Sequence, residues 1–78
     1  MDMESQLKEM IARIAETNAD FGPDADLREE VGVDSHRAVE LLFEIERAFD
    51  VKIPAERFDE TQSLNKALAL VKSLKGGG

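Results

Sequence analysis

One serine lies where a helix is expected to begin, and its hydroxyl group could accept a covalent modification. Ser35 follows Asp34, a residue type that caps helix N-termini, and precedes an amphipathic stretch with acidic residues on its polar side. A phosphate-linked group on this hydroxyl would lie beside free backbone N–H groups and the positive end of the helix dipole. The same two residues also occur as an ordinary helix cap, and the dipeptide alone favours that structural interpretation.

Other kinds of chemical site find little support in the composition. The chain has no cysteine and one histidine, His36, which excludes disulfides, cysteine zinc sites, a cysteine nucleophile and multi-histidine metal centres. No second base or orienting carboxylate is apparent around His36, so we do not expect it to be catalytic. Asp20, Asp24 and Asp26 lack the glycine and glutamate spacing of a calcium loop and are interpreted as turn residues. We expect no catalytic residue and no bound metal.

The net charge of −7 is unevenly distributed along the 78 residues. Residues 17–60 are strongly acidic, whereas residues 61–78 contain three lysines and no acid. Nucleic acid is not an expected partner, because phosphate binding needs a basic surface, whereas basic protein partners are favoured. No apolar run reaches the roughly 20 residues that span a bilayer, and no secretory leader is apparent. We expect a cytoplasmic monomer that does not contact membranes.

The N-terminal part of the chain predicts one helix followed by a long loop. Asp2 is available as an N-cap, and the helix is predicted from Met3 to about Thr17. Residues 18–34 are rich in turn formers, and a loop of this length is unusual in so small a domain and often functional. Apolar residues in the loop would hold it to the core, and those of the helix recur three and four residues apart. They are Leu27, Val31 and Val33 in the loop and Met3, Leu7, Met10, Ile11 and Ile14 in the helix.

The second predicted helix begins at Ser35 and ends at Asp50. Its broad apolar face is expected to lie in the core, with Leu41 at the edge of that face. An extended link should follow, because the residue before Pro54 disfavours helical backbone. The expected core residues of this helix are Ala38, Val39, Leu42, Phe43, Ile45 and Phe49.

The C-terminal part predicts a short helical turn and a last helix. The turn covers Ala55 to Phe58, and Ser63 is the expected N-cap of a helix that runs to about Leu74. Its apolar residues recur at helical spacing, namely Leu64, Ala67, Leu68, Val71 and Leu74. The sequence therefore predicts an all-α fold: a small antiparallel bundle of three main helices and one short helix. Residues 1–75 would form a single domain, and residues 76–78 a flexible glycine tail.

A longer pattern around Ser35 resembles the centre of an acyl carrier protein. The resemblance is carried by Val31-Gly32-Val33-Asp34-Ser35, Val39-Glu40-Leu41, Glu46, Phe49-Asp50-Val51 and Ile53-Pro54. It implies that Ser35 carries a 4'-phosphopantetheine arm, which a phosphopantetheinyl transferase moves from coenzyme A. Asp34 would cap the helix and help to position Ser35. The resemblance implies a carrier that holds its cargo as a thioester and catalyses nothing.

Two residues after the serine depart from the family pattern and affect the expected partners. Carriers of fatty acid synthesis usually have leucine where this chain has His36, and Arg37 replaces an acidic or small residue. The departure favours a specialised carrier, similar to free-standing aminoacyl carrier proteins. The resemblance implies docking to a loading ligase and downstream transferases through the acidic side of the helix. The expected docking residues are His36, Arg37, Glu40, Glu44 and Glu46.

Three alternatives for the cargo and function stay open at the level of sequence. A fatty or polyketide acyl chain predicts an interior channel, which Phe43, Phe49 and Phe58 could fill. An amino acid predicts no channel and an adenylating ligase that accepts His36. An unmodified helical interaction module predicts no covalent arm and no dependence on Ser35.

Overall fold

Three long helices enclose the hydrophobic core in the computed structural model, which describes residues 2–18 and 20–76. They are α1 (Met3–Ala15), α2 (Ser35–Phe49) and α3 (Leu64–Gly76). A short π-helical segment, the Leu27–Val31 turn, lies between α1 and α2. A 3-10 helix, the Ala55–Thr61 turn, lies between α2 and α3. The described residues contain no strand, and the predicted all-α bundle is confirmed.

The predicted ends of α1 and α2 follow from capping groups. Asp2 Oδ1 accepts a hydrogen bond from the Ser5 amide at 2.8 Å, which confirms the first N-cap. The predicted end at Thr17 is two residues too late, because Glu16 adopts a left-handed backbone (φ 57°) and terminates α1. Asp50 ends α2 in the same way with φ 55°, at the position predicted from the sequence.

The C-terminal elements are both longer than predicted. Ser63 Oγ accepts from the Lys66 amide at 3.2 Å, which confirms the predicted cap of α3. The Ala55–Thr61 turn continues past Phe58, and the Thr61 hydroxyl donates to the Phe58 carbonyl at 3.0 Å. The helix α3 includes Gly76, the first residue of the predicted glycine tail, and residues 77–78 lie outside the described part of the chain.

The predicted first loop contains the Leu27–Val31 turn, which the sequence analysis missed. Asp26 Oδ1 accepts from the two amides that follow Leu27, and Gly32 ends the turn with a left-handed φ of 96°. Leu27 and Val33 are buried, as predicted, and Val31 is half-buried. Only five residues form the turn, which is too few for a helical period to show in the sequence.

The core differs from the prediction on α2. Val39 is 49% exposed and Phe43 is 61% exposed, whereas Leu41 is buried with 1% exposure. The prediction for these three residues is wrong, because apolar residues occur around most of this helix and packing against α1 selects the buried side. Phe58 is also exposed, and Leu68 is only half-buried. The buried residues of the long helices are Leu7, Met10, Ile11, Ala12, Ala15, Leu41, Leu42, Ile45, Phe49, Leu64, Ala67, Leu70 and Val71.

Candidate functional site

Ser35 is the first residue of α2, and it is exposed. The start of the helix is held by Asp34 Oδ1, which accepts from the Arg37 amide at 2.9 Å. On the other side, the buried Val33 donates its amide hydrogen to the Leu27 carbonyl at 2.8 Å. The serine hydroxyl is therefore accessible, while the backbone on both sides of it is fixed by a cap and a core anchor.

Arg28 is the residue of this site that the sequence analysis missed. Its Nη2 donates a hydrogen bond to Ser35 Oγ across the bend between the Leu27–Val31 turn and α2. Arg28 is the only arginine or lysine between Arg13 and Arg37, which was the available signal in the sequence. The contact places a positive charge directly at the hydroxyl that the sequence predicts to be modified.

An open groove of about 530 Å³ begins at Ser35. Its apolar wall is formed by Ala38, Val39 and Leu42 of α2 together with Phe58 of the Ala55–Thr61 turn. The polar side includes the exposed Gln62, whose carbonyl accepts the Leu27 amide at 2.9 Å. The groove lies on the surface between α2 and the two short turns, and Ser35 is one of its lining residues.

His36 and Glu40 lie on the exposed side of α2. They are one helical turn apart, with His36 Nε2 4.0 Å from Glu40 Oε1, and their side chains are 89% and 59% exposed. Val39 and Phe43 project on the same side of the helix, since their positions fall within the same arc. We call these four residues the outer face of α2. Two of the four side chains are apolar, and the other two are an imidazole and a carboxylate.

The other three predicted docking residues make contacts within the chain. Arg37 donates to the Ala15 carbonyl at 3.0 Å and pairs with Glu16 Oε2 at 3.1 Å, which holds α2 to the end of α1. Glu44 Oε1 pairs with Arg13 at 3.2 Å. Glu46 Oε2 accepts from the Ile53 amide at 2.8 Å and thereby orders the link after α2. These side chains stabilise the bundle.

In the described part of the chain, no histidine or carboxylate side chain is hydrogen-bonded to the Ser35 hydroxyl. Among the described residues, the hydrogen-bond partner of the hydroxyl is Arg28, which cannot act as a general base at neutral pH. The described residues contain no group of three or more histidine, cysteine, aspartate or glutamate side chains that could hold a metal ion. No described helix is long and apolar enough to cross a membrane.

Comparisons with known proteins find similarity over nearly the whole chain. Residues 5–71 match the family model described as "Phosphopantetheine attachment site". The chain is 33% identical to the D-alanyl carrier protein of Staphylococcus saprophyticus, over 96% of this chain and 100% of that protein. It is 35% identical to the D-alanyl carrier protein of Leuconostoc mesenteroides, over 97% of this chain and 100% of that protein. The similarity covers the whole candidate site.

Proposed function

The chain belongs to the phosphopantetheine attachment site family, and from this premise we propose that Ser35 carries the arm and that its cargo is an amino acid. The protein is a carrier and not an enzyme, and its prosthetic group is 4'-phosphopantetheine. When bound, this group supplies a terminal thiol that holds the cargo as a thioester. As a carrier of this family, the protein interacts with a phosphopantetheinyl transferase and with loading ligases.

Ser35 is supported as the attachment residue by its exposure and its chemistry. Transfer would join Ser35 Oγ to the pantetheine-linked phosphorus of coenzyme A and break the pyrophosphate P–O bond, with loss of the hydroxyl proton and release of adenosine 3',5'-bisphosphate. The hydroxyl lies at the start of α2, where the helix dipole and Arg28 both favour the negative phosphodiester. Asp34 would keep Ser35 at the helix start through the cap bond to the Arg37 amide.

An amino acid as cargo is the interpretation that the observations favour over a fatty acyl chain. Both named relatives are D-alanyl carrier proteins that match over their full length, and we propose D-alanine or a similar small amino acid here. The interior between the helices is occupied by buried side chains such as Leu41, Ile45 and Leu64, which are each at most 1% exposed. The concavity that begins at Ser35 is an open surface groove, and a small polar cargo needs no interior channel.

The outer face of α2 is the proposed docking surface for partner enzymes. His36 and Glu40 remain from the sequence prediction, and the exposed Val39 and Phe43 join them. Such a surface suits a partner patch with an apolar centre and a basic rim, because aromatic anchors contribute much of the energy of interfaces. Three predicted residues are left out of the proposed surface, because each is held by a partner on another element: Arg37, Glu44 and Glu46.

Loading of the holo protein tests the proposed cargo. The holo chain would be incubated with ATP, an adenylating ligase for D-alanine and D-alanine, and intact mass would be measured before and after hydroxylamine, which cleaves thioesters. Ser35→Ala is the variant, and Ser5→Ala is the matched control, because Ser5 is also an exposed serine in the first turn of a helix.

We expect a hydroxylamine-sensitive D-alanyl increment on the parent and on Ser5→Ala, and none on Ser35→Ala. Loading by a fatty acyl ligase with no acceptance of D-alanine or other amino acids would contradict the proposed cargo. Failure of the parent to take the arm at all, in a tube where a known carrier is modified, would favour an unmodified interaction module.

A further inference from the structure

Arg28 contacts the atom to which the arm would be attached. Its Nη2 donates to Ser35 Oγ, and among the described residues it is the only charged side chain hydrogen-bonded to that hydroxyl. We propose that Arg28 is the counter-ion of the arm's phosphodiester and holds the phosphate against the start of α2. The proposal rests on Ser35 as the attachment residue, and it adds a phosphate-binding side chain to that site.

The backbone of Arg28 is fixed independently of its side-chain contact. Leu27, immediately before it, is buried and donates its amide to the Gln62 carbonyl at 2.9 Å. The amide of Arg28 itself donates to Asp26 Oδ1 at 2.9 Å. Because the backbone is already fixed, pairing of Arg28 with an anion would cost side-chain freedom only.

The guanidinium of Arg28 has no carboxylate partner in the described part of the chain, although acids surround it in the sequence. No carboxylate oxygen of residues 2–18 and 20–76 lies within the 4.0 Å limit of an ion pair with Arg28. The nearby acids are used by backbone donors: Asp26 Oδ1 accepts two amides, and Glu30 Oε2 accepts the Asp26 amide at 2.9 Å. Arg37 and Arg57 differ, since each pairs with a glutamate. The guanidinium of Arg28 can therefore pair with an external anion without first breaking an ion pair in the described part of the chain.

The geometry of a phosphodiester suits this position. Its two unesterified oxygens share one negative charge and lie one bond beyond the phosphorus that Ser35 Oγ would carry. A guanidinium at hydrogen-bonding distance from Oγ is within reach of those oxygens, and its planar fork can donate to both. Arg28 would add a full positive charge to the partial positive charge that the start of α2 offers the phosphate.

The test compares apo and holo forms of three variants with the parent. Arg28→Gln removes the charge, and Arg28→Lys keeps it. Arg47→Gln is the matched control, because Arg47 is exposed on the same helix as Ser35 and about 18 Å along it. Each protein would be converted completely with excess transferase, as verified by intact mass. The readouts are the change in Tm on modification and the ³¹P resonance of the arm, neither of which depends on cargo loading.

We expect the Tm of the holo form, relative to the apo form, to be about 2–6 °C lower in Arg28→Gln than in the parent. Arg28→Lys should retain most of the parent's difference, and Arg47→Gln should retain all of it. The effect of Arg28→Gln should shrink in 1 M NaCl, where the screening length is about 3 Å. The ³¹P resonance should move in Arg28→Gln beyond its position in the Arg47→Gln control.

Two failures are distinguishable. If all variants take the arm and Arg28→Gln matches Arg47→Gln in both readouts, Arg28 is not the counter-ion, while Ser35 remains the attachment residue. If the parent takes no arm at Ser35, the proposed function fails and this inference fails with it.

Discussion

Leu41 and Phe43 lie two positions apart on α2, and truncating each of them distinguishes a core residue from a residue of the proposed docking surface. Leu41 is 1% exposed, and Leu41→Ala should lower the free energy of unfolding by about 2–5 kcal/mol through lost burial and a cavity. Phe43 is 61% exposed, so about two-fifths of the 1.5–3 kcal/mol of a fully buried phenylalanine is at stake. Phe43→Ala should therefore cost about 1 kcal/mol, which corresponds to roughly 4–8 °C in Tm.

The rate of loading by the ligase should be lowered by the Phe43 truncation, although that truncation destabilises the fold less than the Leu41 truncation does. If Phe43 anchors a partner enzyme, its truncation removes about 1–2 kcal/mol of binding, and kcat/KM for ligase loading should fall about 5- to 30-fold. The assays are urea unfolding and initial loading rates at low carrier concentration. Phe21→Ala is the control, because Phe21 is a half-buried phenylalanine outside α2, and its loading rate should be unchanged.

Either of two results would contradict the placement of Phe43 on an exposed docking surface. Equal destabilisation by Phe43→Ala and Leu41→Ala would mean that Phe43 is a core residue, as the sequence alone predicts. An unchanged loading rate in Phe43→Ala, with the fold retained, would remove Phe43 from the docking surface.

Three further predictions concern the elements that hold the site. Asp34→Ala should lower the free energy of unfolding by about 1 kcal/mol through loss of the α2 cap, whereas Asp34→Asn should retain both stability in urea and the rate of arm transfer. Gly32→Ala should cost about 1–2 kcal/mol in the same urea assay, because φ at this position is 96°. The cost would come from backbone strain and not from a clash, since an added Cβ meets no atom within 4 Å. The hydrogen bonds and charge of Arg57 lower the pKa of Glu60 below its ordinary value of 4.5. The stabilisation by this pair is therefore present above pH 4.5 and is lost as the pH falls through the pKa of Glu60 in the folded protein. In Arg57→Gln, ¹³C NMR should find the pKa of Glu60 returned toward 4.5.

The caps could be predicted from the sequence because they depend on local chemistry. Asp2, Asp34 and Ser63 each accept an amide of the first helical turn that follows, and this depends only on residue type and position. The buried side of α2 could not be predicted in the same way. Leu41 and Phe43 are both apolar, and only the packing of the helix in the fold, chiefly against α1, determines which of them is buried.

The sequence predicts Ser35 as the centre of the candidate site, but it does not predict Arg28 beside it. The motif at Ser35 lies within one continuous segment, so a sequence pattern can identify it. Arg28 reaches Ser35 only because the Leu27–Val31 turn bends the chain back, and that turn depends on a buried leucine and a left-handed glycine. The sequence also does not show which charged residues of α2 have partners elsewhere in the fold. The partners lie on α1 or in the link after α2 for Arg37, Glu44 and Glu46.

The most direct test of Ser35 as the attachment residue is intact mass spectrometry, with peptide mapping, after incubation with coenzyme A and a broad-specificity phosphopantetheinyl transferase. We expect one phosphopantetheine increment on the parent and on Ser5→Ala, mapped to the peptide that contains Ser35, and none on Ser35→Ala. An increment that persists in Ser35→Ala, or its absence from the parent while a known carrier is modified in the same tube, would contradict the assignment of Ser35.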